Sequence, residues 1–267
     1  MDDGTRINKY LASCGIGSRR ACDALVQEGH VEINGQPCLN PATRVGPEDH
    51  VKVDGRRVAP KQETVVVLNK PRGLVCTKAD ELRRGNIFDL LPDSLRHLQH
   101  VGRLDRESEG LLVLTNDGDL GHAMLHPSKK VEKEYLVTSN QPVTDDHVRT
   151  LLSGIYTDDG KLRADRIERL SPRRLSIVLT TGHKRQIRVM LEKLGYRVQR
   201  LLRVRIGSLE LGNLGTGKWA RLSPAETELL LKNPPERKST RPARPAKNRP
   251  QPQRKRTPIR GGRKRTR

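Results

Sequence analysis

Residues 100–119 read HVGRLDRESEGLLVLTNDGD, and the larger part of the chain can be read outward from this run. Val101 and Leu104 predict a strand that enters a loop at Asp105-Arg106-Glu107-Ser108-Glu109-Gly110. Residues 111–115 (LLVLT) carry no charge, and a strand covered on both faces needs no polar alternation, so they predict a buried strand. Asn116-Asp117-Gly118 predicts a turn, with Asp119 as cap of a helix over 120–125. Three carboxylates, Asp105, Glu107 and Glu109, crowd the loop beside Arg103 and Arg106. On residue types alone two readings stand. One is a solvated loop of mixed charge; the other is a carboxylate pair for acid and base work at a glycosidic bond.

Upstream, 65–68 (VVVL) is a second continuous apolar run, ending in the turn Asn69-Lys70-Pro71-Arg72-Gly73. Residues 74–77 predict a strand, and 86–91 a helical turn stopped by Pro92. Downstream, 131–138 alternates as a strand, with Tyr135 on the face of Val131, Lys133 and Val137. A helix is expected over 145–152 and a strand over 175–179. Residues 184–194 predict an amphipathic helix with Ile187, Met190, Leu191 and Leu194 inward. Lys184, Arg185 and Arg188 cluster at its start, where the helix dipole favours acids, so a phosphate or a buried carboxylate is the fitting partner. Closing strands follow at 198–204, 208–211 and 219–221. Ser223-Pro224-Ala225-Glu226 then opens a final helix with a capping box.

The first 62 residues predict helices at 6–13 and 19–27, the second capped by Ser18, then strands at 31–33 and 50–53. Arg6 and Lys9 share a helical face, and Arg19 and Arg20 open the second helix. Such cations beside free backbone N–H groups suit a phosphate backbone, and equally an ordinary solvated face. The whole chain has 267 residues, room for one or two domains, and a net charge of +21. From Lys232 to Arg267 there are 15 basic residues against one acid and 7 of the 17 prolines. That stretch cannot bury enough apolar surface to order itself and predicts a disordered basic tail. No apolar run is long enough for a transmembrane helix, and the opening MDDGTRINKY does not predict a secretory leader. Cys14, Cys22, Cys38 and Cys76 form no CxxC pair, which argues for a reducing cytoplasm and against a disulfide framework or zinc site. His97 with His100, and His122 with His126, have ligand-like spacing but lack an evident third ligand. The charge balance points to a nucleic acid partner.

Residues 6–36, RINKYLASCGIGSRRACDALVQEGHVEINGQ, closely resemble the S4 RNA-binding domain, with Ala21-Cys22-Asp23 where many relatives carry Glu-Ala-Asp. Lys70-Pro71-Arg72-Gly73, GRLDRESEGLLVLTNDGD, EKEYLVT and GHKRQIRVMLEKLGYRVQRLLRVRIGSLELGNL resemble, in order, the motifs of the RsuA-type bacterial ribosomal pseudouridine synthases. The resemblance implies an α+β chain. An S4 domain over 5–62 would precede a synthase domain over 63–231 with a long, mostly antiparallel mixed sheet and flanking helices; the tail would occupy 232–267. It implies that Asp105 is the essential aspartate, Tyr135 the active-site tyrosine and Arg188 the base that pairs with the aspartate. Arg103 would fill the space left by a flipped base, and Lys70 and Pro71 would build the pocket floor. Arg6, Lys9, Arg19, Arg20, Lys184 and Arg185 join them as candidate RNA contacts. His183-Lys184 stands where relatives often show Arg-Asn. The implied activity is isomerisation of a uridine to pseudouridine in ribosomal RNA, 23S preferred, without metal or cofactor. The expected partner is ribosomal RNA, naked or in an assembling large subunit, with tRNA as the alternative target; a monomer in the cytoplasm is expected. Two rivals make different predictions: a non-catalytic S4 binder leaves Asp105 dispensable, and a DNA-compaction protein binds duplex DNA as tightly as RNA.

Overall fold

The structure, a computed structural model, describes residues 4–77, 85–158 and 160–235. The basic tail expected beyond these lies outside the described residues, except for its first few positions. The N-terminal module contains α1 (Ile7–Ser13) and α2 (Arg19–Gln27), followed by β1 (Val31–Ile33) and β2 (Val51–Val53). Ser18 caps α2 by accepting a hydrogen bond from the Ala21 amide at 3.2 Å. Ile7, Leu11, Cys22, Val26, Val31 and Val51 form its core, the one inward stripe that two such short helices and a small sheet can share. Gln36–Pro37 and Arg56–Arg57 extend the sheet to four strands.

The larger part of the chain is built on one nine-stranded mixed sheet. Its strands are β3 (Val65–Lys70), β4 (Gln99–Val101), β5 (Glu109–Thr115), β6 (Lys133–Ser139), β9 (Arg166–Ser171), β10 (Arg174–Leu179), β11 (Val198–Ile206) and β12 (Trp219–Arg221), with Leu209–Glu210 as a short edge piece. The hairpin β7 (Ile155–Thr157) and β8 (Gly160–Leu162) pairs only with itself. Helices α3 (Gly118–Leu125), α4 (Asp145–Ser153), α5 (Gln186–Lys193) and α6 (Pro224–Leu229) flank the sheet. The order is β9-β10-β6-β11-β5-β3-β12, with β4 on the other side of β5 and every pairing antiparallel except β11 with β5. That parallel step is two residues long, Leu202 opposite Glu109 and Arg203 opposite Gly110, and it splices the two halves of the sheet. Gly110 permits it. A Cβ there would stand 2.2 Å from the Arg203 carbonyl oxygen, at a φ of +106° that a side chain disfavours.

Each half of the sheet has its own core. Val137, Leu151, Ile177, Met190 and Leu191 fill one; Leu68, Ile87, Leu98, Leu112 and Leu114 fill another beneath the loop that precedes β5. Tyr135 packs against both, so it stands at the seam between the halves. On the opposite face of β6, Glu134 accepts from Arg205 at 2.8 Å and from Ser176 at 2.6 Å, while Glu132 accepts from Arg205 at 2.9 Å. The alternation expected for this strand therefore sorts apolar from ionic contacts.

Several local expectations need correction. The helix cap before α3 is Asp117, which accepts from the Asp119 and Leu120 amides at 2.9 and 3.0 Å, not Asp119. Helix α5 starts at Gln186, so Lys184 and Arg185 precede it, with Arg185 left-handed at φ 54°. The strand expected over 74–77 reduces to a single bridge, Val75 with Asn86. The helical turn near 86–91 is 3₁₀ (Ile87–Leu90), with Asn86 and Asp89 capping each other's backbone. Among the described residues no helix is long and apolar enough to cross a membrane.

Candidate active site

The loop between β4 and β5 is fixed from below by Lys70, the last residue of β3. Lys70 has no exposed surface, and its ammonium donates to the carbonyls of Pro71, Asp105 and Ser108 at 3.1, 3.2 and 2.9 Å. Burial pushes its pKa down, and Cys76, Asp105, Glu109 and Glu107 oppose that shift. A side chain with no surface cannot touch RNA directly, so Lys70 is corrected from RNA contact to loop clamp. Pro71 lends it a carbonyl. Gly73 and Arg106 close the turn reciprocally: the Gly73 amide donates to the Arg106 carbonyl at 2.8 Å, and Arg106 Nε donates to the Gly73 carbonyl at 3.2 Å.

This arrangement separates the three loop carboxylates. Arg72 grips Glu107 through Nε and Nη2 at 3.0 and 2.8 Å and holds its carboxyl below the usual range. Arg200 grips Glu109 at 3.2 and 3.0 Å. Asp105 is half-buried, and among the described residues its carboxylate accepts no hydrogen bond and joins no ion pair. One carboxylate is thus left for chemistry, which disfavours the reading of a paired acid and base.

Arg188 comes up beneath the same loop from α5, with only 8% of its surface exposed. Nη2 donates to the Glu107 carbonyl at 3.0 Å and Nη1 to the Val198 carbonyl at 3.2 Å. Nε is buried without a partner. Burial pushes the Arg188 pKa down; the nearby Arg185 adds to that, and Asp105 acts against it. The implied Arg188–Asp105 ion pair is therefore not made. The rigid guanidinium fork is taken up by two backbone carbonyls, and Arg188 meets Asp105 only as a neighbouring charge.

Tyr135 presents its ring at the seam of the two cores. Arg203, 4% exposed, lies 6.0 Å from the ring centroid, with Nη1 3.5 Å from the phenol oxygen and Nε bonded to the Leu111 carbonyl at 2.7 Å. Sequence reasoning missed Arg203, which sits at the splice and ties it to Tyr135. The available signal was a pair of arginines, Arg203 and Arg205, alternating with Leu202, Val204 and Ile206, where each demands buried partners. Lys133, two residues before Tyr135 on its face, is pushed down to about 8, first by burial and then by Arg203.

Among the RNA-contact candidates, Arg103 is exposed and forms no hydrogen bond or ion pair among the described residues. Arg6, Arg19, Arg20, Lys184 and Arg185 are exposed as well. Lys9 is engaged with Asp119 at 2.9 Å, an exposed pair worth about 0–1 kcal/mol that a phosphate could displace. Among the described residues no group of three His, Cys, Asp or Glu side chains could hold a metal ion.

Residues 64–193 match the RNA pseudouridylate synthase family and residues 5–51 the S4 domain. The chain is 37% identical to the dual-specificity RNA pseudouridine synthase RluF of Escherichia coli K12, over 86% of this chain and 80% of that protein. It is also 37% identical to an uncharacterized RNA pseudouridine synthase of Aquifex aeolicus, over 85% of this chain and 94% of that one. A crystal structure of a pseudouridylate synthase superposes with a TM-score of 0.63 at 27% identity, covering 85% of this chain and all of that one. An S4 module, a spliced mixed sheet and one free carboxylate in a clamped loop thus coincide with sequence identity along most of the chain, which belongs to the RNA pseudouridine synthase family of isomerases.

Proposed function

We propose that this chain converts a uridine of ribosomal RNA, 23S by preference, to pseudouridine, with Asp105 as the carboxylate that acts at C1′. The observation that carries the assignment is that Glu107 and Glu109 are each held by an arginine while Asp105 is not. The reaction breaks the C1′–N1 bond, turns the uracil and forms a C1′–C5 bond. The C5 proton leaves and N1 gains one, so neither redox change nor energy input is needed. Asp105 either attacks C1′ or assists departure of the uracil anion, and both routes need it ionised. Arg188 positions the loop and adds positive potential beside Asp105. Tyr135 stacks on the uracil and relays the C5 proton in the last step. The target base leaves its stack at a cost of a few kcal/mol, and the uncommitted Arg103 occupies the gap.

In this reading residues 5–62 dock the RNA through Arg6, Lys9, Arg19 and Arg20, residues 63–231 form the catalytic domain, and the basic segment 232–267 adds electrostatic attraction. Lys184 and Arg185 contact phosphates near the site. The enzyme works as a cytoplasmic monomer on ribosomal RNA, free or in an assembling large subunit, and needs no cofactor. The test maps pseudouridines in rRNA and tRNA by carbodiimide-dependent primer-extension stops, in cells with the chain, without it, and with Asp105→Asn. A stop that vanishes on deletion and returns only with the wild type is expected. Stops that persist in all three strains would leave the non-catalytic S4 reading in its place.

A further inference from the structure

One cavity, of about 330 Å³, does not include Asp105 in its lining. It lies between β8 and the loop leading into α5, lined among others by Lys161, Arg163, Asp165, Thr181, His183 and Gln186. Its size is at the low end of small-ligand clefts, ~300–1,000 Å³, which suits one nucleotide and not a duplex. Gln186, 4% exposed, makes the wall rigid. Its amide donates to the Arg163 carbonyl at 3.0 Å, and its oxygen accepts from Thr181 Oγ1 at 3.0 Å and the His183 amide at 3.3 Å. The wall is therefore built before any occupant arrives. It also continues directly into the helix that carries Arg188.

Beside the cavity, at the register partner of Lys161 in the β7–β8 hairpin, stands Tyr156, 78% exposed in a chain with 2% aromatic residues. The Lys161 ammonium lies 5.7 Å from the ring centroid, and Lys161 is one of the residues that line the cavity. An aromatic ring held out in water beside a cation costs apolar exposure that nothing in the fold requires. It matches the platforms on which unpaired bases stack. The surround is cationic: Lys161 and Arg163 are exposed, and Lys184 and Arg185 follow His183. The one carboxylate of the lining, Asp165, has Oδ2 taken by the Thr180 amide and hydroxyl at 2.6 and 2.8 Å. Its Oδ1 accepts no hydrogen bond among the described residues and can take one from a base N–H.

We infer that Tyr156 and the Lys161–Arg163 cavity form a second RNA subsite, which takes one unpaired nucleotide of the substrate with its base on the Tyr156 ring and its phosphate at the lysine and arginine. The inference rests on the proposed action on RNA and adds to it the requirement for a single-stranded nucleotide beside the reacting one. A base, rather than a protein side chain, is the occupant because ring, cations and one free acceptor occur together at single-nucleotide size.

The test measures binding of an oligouridylate decamer and of a same-length RNA duplex to the full chain, for the wild type, Tyr156→Ala, Tyr156→Phe and Lys161→Ala. Tyr156→Ala is expected to weaken decamer binding by about 5- to 150-fold, the loss found when a stacking aromatic is removed. Tyr156→Phe keeps the ring and should bind within about twofold of wild type. Lys161→Ala should weaken decamer binding and flatten its salt dependence. Duplex affinity should not follow Tyr156→Ala. Decamer binding unchanged in Tyr156→Ala would overturn the subsite, and an equal loss in the Phe variant would overturn stacking as its basis. Pseudouridine formation in an rRNA transcript by the same wild-type preparation separates a failed subsite from a failed synthase assignment. Tyr156 is mostly in solvent, so its variants should keep the wild-type melting temperature.

Discussion

Replacing Lys70 by methionine tests the loop clamp. The change keeps the length and apolar stem of the side chain and removes three hydrogen bonds, at 2.9 to 3.2 Å, from a side chain with no exposed surface. Charge-assisted bonds contribute ~1.5–3 kcal/mol each, so their loss is large in gross terms. The variant is also relieved of burying an ammonium, which costs several kcal/mol. The difference is a net destabilisation of ~2–4 kcal/mol, small enough for a domain with ~5–15 kcal/mol of stability to stay folded. Activity should suffer more. The Asp105 backbone loses its anchor, and a displacement of about an ångström at a reacting group costs on the order of 100-fold in rate. RNA affinity should change less than about threefold, because a side chain without surface neutralises no phosphate. The assay pairs single-turnover pseudouridine formation with filter binding and a urea melt. A variant that keeps its rate and loses affinity would refute the clamp and restore Lys70 as an RNA contact.

Further outcomes follow from the same geometry. Gly110→Ala places a Cβ 2.2 Å from the Arg203 oxygen at a φ of +106°. The backbone strain alone is ~1–3 kcal/mol before the overlap, so a lower urea midpoint and loss of activity are expected together; a wild-type melt would contradict the splice. Arg188→Lys keeps a charge but not the fork that reaches Glu107 and Val198, and should lower single-turnover rate by ~10–100-fold with RNA binding retained. Lys133 falls from 10.5 when unfolded to about 8 when folded. The unfolded chain therefore binds more protons between those values, and stability rises as pH rises through that window. At ~1.4 kcal/mol per pKa unit the Lys133 share of the rise is at most ~3.5 kcal/mol, reduced by solvent screening; Lys133→Met should reduce the rise in urea melts from pH 7 to 11, the buried Lys70 supplying the remainder.

How much the sequence revealed differed by element. The apolar run at 65–68 and the uncharged, mostly apolar stretches at 111–115 and 175–179 announced β3, β5 and β10, because strands buried on both faces carry their signal locally. The Ser18 and Ser223 caps fixed the starts of α2 and α6 for the same reason. The β7–β8 hairpin and β9 went unseen, since their residues, half of them exposed and only one fully buried, are ordered by pairing and not by pattern. Helix α5 starts late because the Gln186 side chain, bonded to Thr181 and Arg163, holds the preceding loop out of the helix. At the site, motif resemblance marked Asp105, Tyr135 and Arg188. Who binds whom was not legible: Lys70 meets carbonyls 35 and 38 residues away, and Arg203 one 92 residues away. The Lys70 partners exist only once β3 lies against β5, and the Arg203 partner only once the two halves of the sheet are joined.

The proposed function turns on Asp105, the unpaired carboxylate of the clamped loop, as the group that carries the chemistry. It is tested most directly by tritium release from C5-tritiated uridine in an rRNA transcript, with purified wild type and Asp105→Asn at equal RNA occupancy. Release is expected from the wild type, and none above background from Asp105→Asn, which still binds the RNA. Release by Asp105→Asn at the wild-type rate would contradict it.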